Sequence, residues 1–239
     1  MGLITLAASP PGQAAPQPIS LRPMGNVLTV NVAQLRANPA GGKPTGIDKR
    51  PIDEAIAIRP PGSMRDGLGS GLVGDHIGNS KFHGGDDQAV YAYAREDLLV
   101  WENTLGRTLS NGEFGENFTT AGVDVTGALI GERWHVGDDG LVLEVSRPRI
   151  PCGTFAAWLD LKGWMKTFTA AAVPGAYLRV ITPGRVRAGD RIDVVDRPDH
   201  DVTIGMVFRA LTLEAELLPH ILDADALPAA IKKRASRRT

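Results

Sequence analysis

Cys152 closes the run Arg147-Pro-Arg-Ile-Pro-Cys152 and is the single cysteine of the chain. The thiolate, not the thiol, is the form that ligates metal or attacks an electrophile, and nearby cations favour it. Arg147 and Arg149 flank Pro148, so in extended chain their guanidinium groups lie on one side, suited to bidentate capture of a phosphate or carboxylate. A second cluster is Lys81-Phe-His-Gly-Gly-Asp-Asp87. Lys81 and His83 share one side of an extended segment, and Gly84 and Gly85 let a ligand approach the backbone closely. His83 suits a proton donor near neutral pH or a hydrogen-bond donor to phosphate. Asn117 offers both a donor and an acceptor edge, which can read a heterocycle. The loop Gly41-Gly-Lys-Pro-Thr-Gly-Ile-Asp-Lys-Arg-Pro51, with Lys43, Lys49 and Arg50, could hold an anion. Each feature has an inert counterpart: a cysteine that packs as a small hydrophobe, a histidine or asparagine satisfied in its own turn, lysines that face water.

The elements that must position these groups are mostly short strands. Leu141, Leu143 and Val145 alternate with Val142, Glu144 and Ser146, a half-buried strand that Pro148 stops just before the cysteine. Leu28, Val30 and Val32 alternate with Thr29 and Asn31 in the first convincing strand, and Ile52 to Ile58 reads as another, closed by Pro60-Pro61. Further strands are expected at Ala89 to Tyr93, around Phe118 to Thr120, at Ile130 to Gly137, at Ala176 to Ile181 and at Arg191 to Val195, with turns at Asp138-Asp-Gly140 and Pro183-Gly184. Arg95 to Leu105 has Leu98, Trp101 and Leu105 on one helical face and Gly106 as a stop, and Phe155, Trp158 and Leu159 suggest a helix after the cysteine. From Thr203 onward the apolar spacing becomes helical. Strands returning at intervals of ten to twenty residues favour a mostly antiparallel barrel with inserted helices, an α+β chain that is mostly β. We therefore divide it into a disordered, proline-rich N-terminal extension (1–24), a β-barrel domain (25–198) and a small C-terminal module of three-helix type (199–239).

Length and charge narrow the function classes. A chain of 239 residues buries one substantial core, and a formal net charge of -1 gives no general pull toward nucleic acid or membrane. One cysteine excludes an internal disulfide framework, a Cys-only zinc site and an iron–sulfur cluster built from this chain alone. A reducing, cytoplasmic setting fits best. Gly69-Ser-Gly-Leu-Val-Gly74 matches the dinucleotide fingerprint by letter, but turn-rich sequence precedes it and Asp75-His-Ile-Gly-Asn79 follows, so the strand-turn-helix context is missing and we reject it.

Three segments in order, Lys81-Phe-His-Gly-Gly-Asp-Asp-Gln-Ala-Val-Tyr-Ala-Tyr93, Phe114-Gly-Glu-Asn-Phe-Thr-Thr120 and Arg147-Pro-Arg-Ile-Pro-Cys152, resemble the MOSC family, the domain related to the C-terminal part of molybdenum-cofactor sulfurases, in its YiiM-like branch. The resemblance runs from about Val27 to about Val195, and the tail is similar to that branch's three-helix module. It implies a β-barrel that binds molybdenum cofactor in its molybdopterin form, with Cys152 as metal ligand or sulfur carrier. It places Lys81 and His83 beside Cys152 in catalysis, and Thr45, Lys49, His83, Gly84, Asn117, Arg147 and Arg149 against the cofactor. Asn79 and Gln88 stand where many members carry Asp and Lys. The implied reaction reduces N-hydroxylated compounds, such as a hydroxylaminopurine or an amidoxime, with electrons from a separate redox protein. The resemblance admits two other roles, sulfur transfer through a Cys152 persulfide and non-catalytic carriage of the cofactor. No nucleic-acid or membrane partner is expected, and a homodimer is left open.

Overall fold

The computed structural model describes residues 24–79 and 83–237. The proline-rich extension, apart from Met24, lies outside the described residues, as do Lys81 and the last two residues. Ten strands are described: β1 (Met24–Ala33), β2 (Lys49–Ile52), β3 (Ile56–Ile58), β4 (Val90–Ala94), β5 (Phe118–Ala121), β6 (Arg133–Val136), β7 (Leu141–Pro148), β8 (Ala176–Thr182), β9 (Gly184–Val186) and β10 (Arg191–Asp196). The helices among them are α1 (Arg95–Leu105), α2 (Gly153–Leu159), α3 (Trp164–Ala171), α4 (Ile204–Thr212) and α5 (Ala229–Ala235). Strands pair in the order β10-β6-β7-β8-β4-β5-β1, and β1 pairs back onto β10, so the sheet closes into a barrel with β2 attached outside β1. Every pair is antiparallel except β4 with β5. That parallel step is bridged by α1, the kind of crossover that parallel neighbours need.

Side chains fill the barrel. Val27, Phe118, Trp134, Leu143, Leu178 and Ile192 are all fully buried in one apolar cluster. The C-terminal helices join that cluster through Val207, Leu211, Ile221 and Ile231. α4 begins at a capped turn, where the Thr203 side chain accepts from the Met206 amide at 3.1 Å. A second cluster lies beside the barrel, where Trp101 of α1, Phe114, Phe155 of α2, and Trp164 and Phe168 of α3 pack together, Phe155 meeting Phe114 and Phe168 edge to face at 5.2 Å each.

Three expectations are corrected. The span from Ile52 to Ile58 is two strands, β2 and β3, broken at residues 53–55; β2 belongs to the barrel and β3 pairs only with β9. In β1 Val27 and Val30 are buried, with Gly25, Asn31 and Ala33, while Leu28 and Val32 are half-buried, because the pairing with β5 shifts register between Val27 and Thr29 and re-phases the pleat. The strand anticipated from Ile130 starts only at Arg133, since Ile130 bonds out of register to the Val202 carbonyl. The segment Gly69 to Gly74 is a loop with one bridge, Leu72 to Ile58, and forms no strand-turn-helix unit.

Candidate active site

Cys152 stands between the end of β7 and the start of α2, as the N-cap residue with extended backbone. Phe155, three residues on, anchors that first turn in the aromatic cluster, so the sulfur is carried on a fixed element. Cys152 is half-buried and lines a cavity of about 430 Å3. The 40–47 loop forms part of its wall, His83 and Arg149 stand by the cysteine, and Gly84 and Asn117 line it as well. Burial alone would raise the thiol. It is outweighed by the His83 ring within hydrogen-bonding reach, by the Arg149 charge and by the Phe155 amide, and the thiol is pulled down from 9.0 to about 6. Cys152 makes no side-chain capping bond at α2, so the Phe155 amide acts as a nearby dipole.

Arg149 is buried, donates to the Phe114 carbonyl, and sits with its guanidinium carbon 3.8 Å from the Phe155 ring centroid and 5.3 Å from that of Tyr91. Its planar cation is thereby fixed against aromatic faces at the cavity wall. Arg147 is a different case. The pairing of β7 with β8 shifts between Val145 and Arg147, Arg147 lies opposite Tyr177, and its side chain is not part of the cavity lining. The expectation that both guanidinium groups face one ligand is corrected: the bulge and the strand end at Pro148 break the alternation on which it rested.

Lys49 and Asn117 reach the cavity but are bound into its floor. Asp75, with its side chain fully buried, accepts from Lys49 Nζ at 2.7 and 2.5 Å, Ser70 Oγ at 2.7 Å, Asn117 Nδ2 at 2.9 Å and the Ala33 amide at 2.8 Å. Burial would raise Asp75, but the Lys49 charge and these bonds hold its carboxyl below the usual carboxylate range. The Asn117 oxygen accepts from the Tyr91 amide at 3.2 Å. Its amide therefore ties β4 to β1 and the Asp75 loop and leaves little to read a heterocycle. Thr45 is buried on the loop wall, with its hydroxyl accepting from the Ile47 amide at 3.2 Å. Gly84 has φ +87, and a Cβ there would meet the Gly69 carbonyl at 2.7 Å, so glycine is required by backbone packing as well as lining the cavity.

The loop wall is held main chain to main chain. A Cβ on Gly46 would strike the His76 carbonyl, and one on Gly78 would strike the Pro44 carbonyl and come within 2.7 Å of the Thr45 Cα. Sequence reading missed the Asp75 hub and the cavity residues Tyr177 and Gln88. Asp75 enters the sequence reading only as the residue that follows a rejected glycine motif, and nothing in the local spacing of Tyr177 distinguishes it from a packing aromatic.

The MOSC domain model matches residues 79–193, which include His83, Asn117, Arg149 and Cys152. The uncharacterized protein YflK of Bacillus subtilis (strain 168) is 33% identical over 181 residues, 75% of this chain and 77% of that protein. The chain belongs to the MOSC family. A protein named Reductase from Gibberella moniliformis (strain M3125 / FGSC 7600) is 29% identical over 178 residues, 73% of this chain but 30% of that longer protein. The crystal structure of YiiM from Geobacillus stearothermophilus superposes with a TM-score of 0.71 at 24% identity, covering 90% of this chain and 98% of that one, and so shows the same fold. The barrel and the helices that follow it are thus those of a MOSC protein of the YiiM type. No helix among the described residues is long and apolar enough to cross a membrane.

Proposed function

We propose that this MOSC protein is a molybdenum-cofactor-dependent oxidoreductase that reduces N-hydroxylated compounds of the hydroxylaminopurine or amidoxime type, with Cys152 as the protein's ligand to the metal. One observation carries the reading: the Cys152 sulfur, shifted to about 6, lines a cavity of about 430 Å3 beside a buried arginine. The residues fit the group. A thiolate is the soft donor that molybdenum favours, and the volume lies in the range of small-molecule sites. The wall at Gly41, Gly42 and Lys43 combines close backbone with a cation, suited to a phosphate, and Arg149 supplies a second positive charge deeper in. When bound, the cofactor supplies the two-electron chemistry that takes oxygen from nitrogen.

The chain's own groups do the rest. Arg149 and His83 keep Cys152 ionised and oriented at neutral pH. His83, half-exposed at the cavity, is placed to give a proton to the departing oxygen, with Lys81, outside the described residues, as a second candidate. Conversion of R–NHOH to R–NH2 and water consumes two electrons and two protons, and the electrons come from a separate redox protein. The relative named Reductase supports the reaction class, and the proposed setting is the cytoplasm.

Expression in a cofactor-competent host, followed by molybdenum analysis and assay of 6-hydroxylaminopurine reduction with a chemical reductant, tests the proposal. Stoichiometric molybdenum and turnover, both lost in a folded Cys152→Ala variant, are expected. Activity retained in that variant would falsify the ligand role. Labile sulfane sulfur on Cys152 without turnover would favour sulfur transfer, and bound metal with neither would favour a carrier.

A further inference from the structure

Polar side chains that line the cavity divide into those the fold uses and those it does not. Lys49, Ser70 and Asn117 are bound to Asp75, Asn38 donates to Thr154 Oγ1 at 3.1 Å, and Arg149 donates to Phe114. Gln88 and Tyr177 are different. Gln88 is only 7% exposed, yet its amide bonds no described residue, and neither does the Tyr177 hydroxyl. Both side chains line the cavity, Gln88 buried and Tyr177 half-buried, so these groups are open to a molecule bound there.

Both groups are presented rigidly. Gln88 ends a 3-10 turn, Asp86–Gln88, which is tied to β8 by the ion pair of Asp87 with Arg179 at 2.6 Å. Tyr177 lies on β8, two residues from Arg179, directly opposite Tyr91, and the two rings pack with centroids 5.0 Å apart at 35°. The Tyr91 hydroxyl donates to the Pro174 carbonyl at 2.8 Å, so the supporting ring is itself fixed. Tyr177 stands near the cysteine end of the cavity, where Arg149, Arg147 and Cys152 all act on its hydroxyl. Burial raises that hydroxyl above its ordinary value, so it remains a donor across the physiological range.

We propose that the Tyr177 hydroxyl and the Gln88 amide form a specificity subsite that hydrogen-bonds the in-plane donor–acceptor edge of the molecule reduced beside Cys152. This rests on the function proposed above. A planar substrate with ring nitrogens completes both groups, whereas one without them leaves the cavity-facing amide and hydroxyl without a partner and is held more weakly. The pair determines selectivity and takes no part in proton or electron transfer.

The test uses cofactor-loaded protein, folded by circular dichroism, as wild type, Tyr177→Phe and Gln88→Leu. Two substrates are compared: 6-hydroxylaminopurine, and phenylhydroxylamine, which has no ring heteroatom. In parallel, titration calorimetry measures adenine, the amine product of the purine. Each variant should raise KM for the purine and weaken adenine binding by about fivefold, the loss of one net hydrogen bond, with kcat nearly unchanged and phenylhydroxylamine unaffected. Equal KM values for wild type and both variants on both substrates, or parallel losses on both, overturn the subsite. If wild type reduces neither substrate, the function itself fails and adenine decides: binding weakened in both variants upholds the subsite, while unchanged or undetectable binding removes it.

Discussion

At the scale of single residues, two ionised groups are held in opposite ways. Cys152 is depressed by neighbours that prefer the thiolate, and its alkylation rate by iodoacetamide should rise to half its plateau near pH 6. His83→Ala should move that midpoint upward, toward the ordinary thiol range; an unchanged midpoint would show that Arg149 and the Phe155 amide suffice alone. Because the folded value lies below the unfolded one, the thiolate's contribution to stability is present above pH 9.0 and is lost as pH falls through about 6. Asp75 is held by an internal partner. Lys49→Met leaves a fully buried carboxylate without its cation and should cost about 3–5 kcal/mol in urea unfolding, as for other broken buried pairs. The paired Lys49→Met, Asp75→Asn variant should recover part of that loss. The sequence named Cys152, Arg149 and Lys49 but could not tell a cation that faces a ligand from one that answers a distant aspartate, because that depends on a contact across twenty-six positions.

Among elements, the 111–119 segment links the barrel to the site. The Glu116 carboxylate accepts from the Gly112 amide at 2.6 Å, the Phe114 amide at 3.0 Å and Thr119 Oγ1 at 2.8 Å, and Phe114 in turn accepts from Arg149. Burial outweighs these bonds and pushes the Glu116 carboxyl up to about 7. Its contribution to stability is therefore full below the unfolded value of 4.5 and is lost as pH rises through about 7, opposite in slope to that of Cys152. Thermal midpoints between pH 4.5 and 7 should fall less steeply with pH in Glu116→Gln than in the wild type, the remaining slope coming from Asp97, which burial pushes up to about 6. α1, α2 and the strand into Cys152 were legible from spacing and stop residues. The β1 phase, the break after Ile52 and the absence of Arg147 from the cavity lining were not, because bulges and partner register lie outside any local pattern.

Over the whole molecule, the C-terminal helices complete the barrel's apolar cluster as well as extending it. Ile231 of α5 and Ile221 are buried in the same cluster as Trp134 and Val194. Ile231→Ala should then lower overall stability by about 2–4 kcal/mol, with tryptophan fluorescence and far-ultraviolet circular dichroism reporting one coincident transition. Two separate transitions would show that the helices fold on their own. A mostly β barrel with a helical tail was legible from the recurrence of short strands and the change of period at Thr203. Its closure was not, since the pairing of β1 with β10 joins strands more than 150 residues apart.

That closure leaves β2 as the outermost member of the main sheet, and its four residues are Lys-Arg-Pro-Ile. Pro51 offers no amide to an incoming chain and Arg50 carries charge along the margin. Concentrated solutions should therefore resist fibril growth by strand addition, and Pro51→Val with Arg50→Val is the change that would invite it.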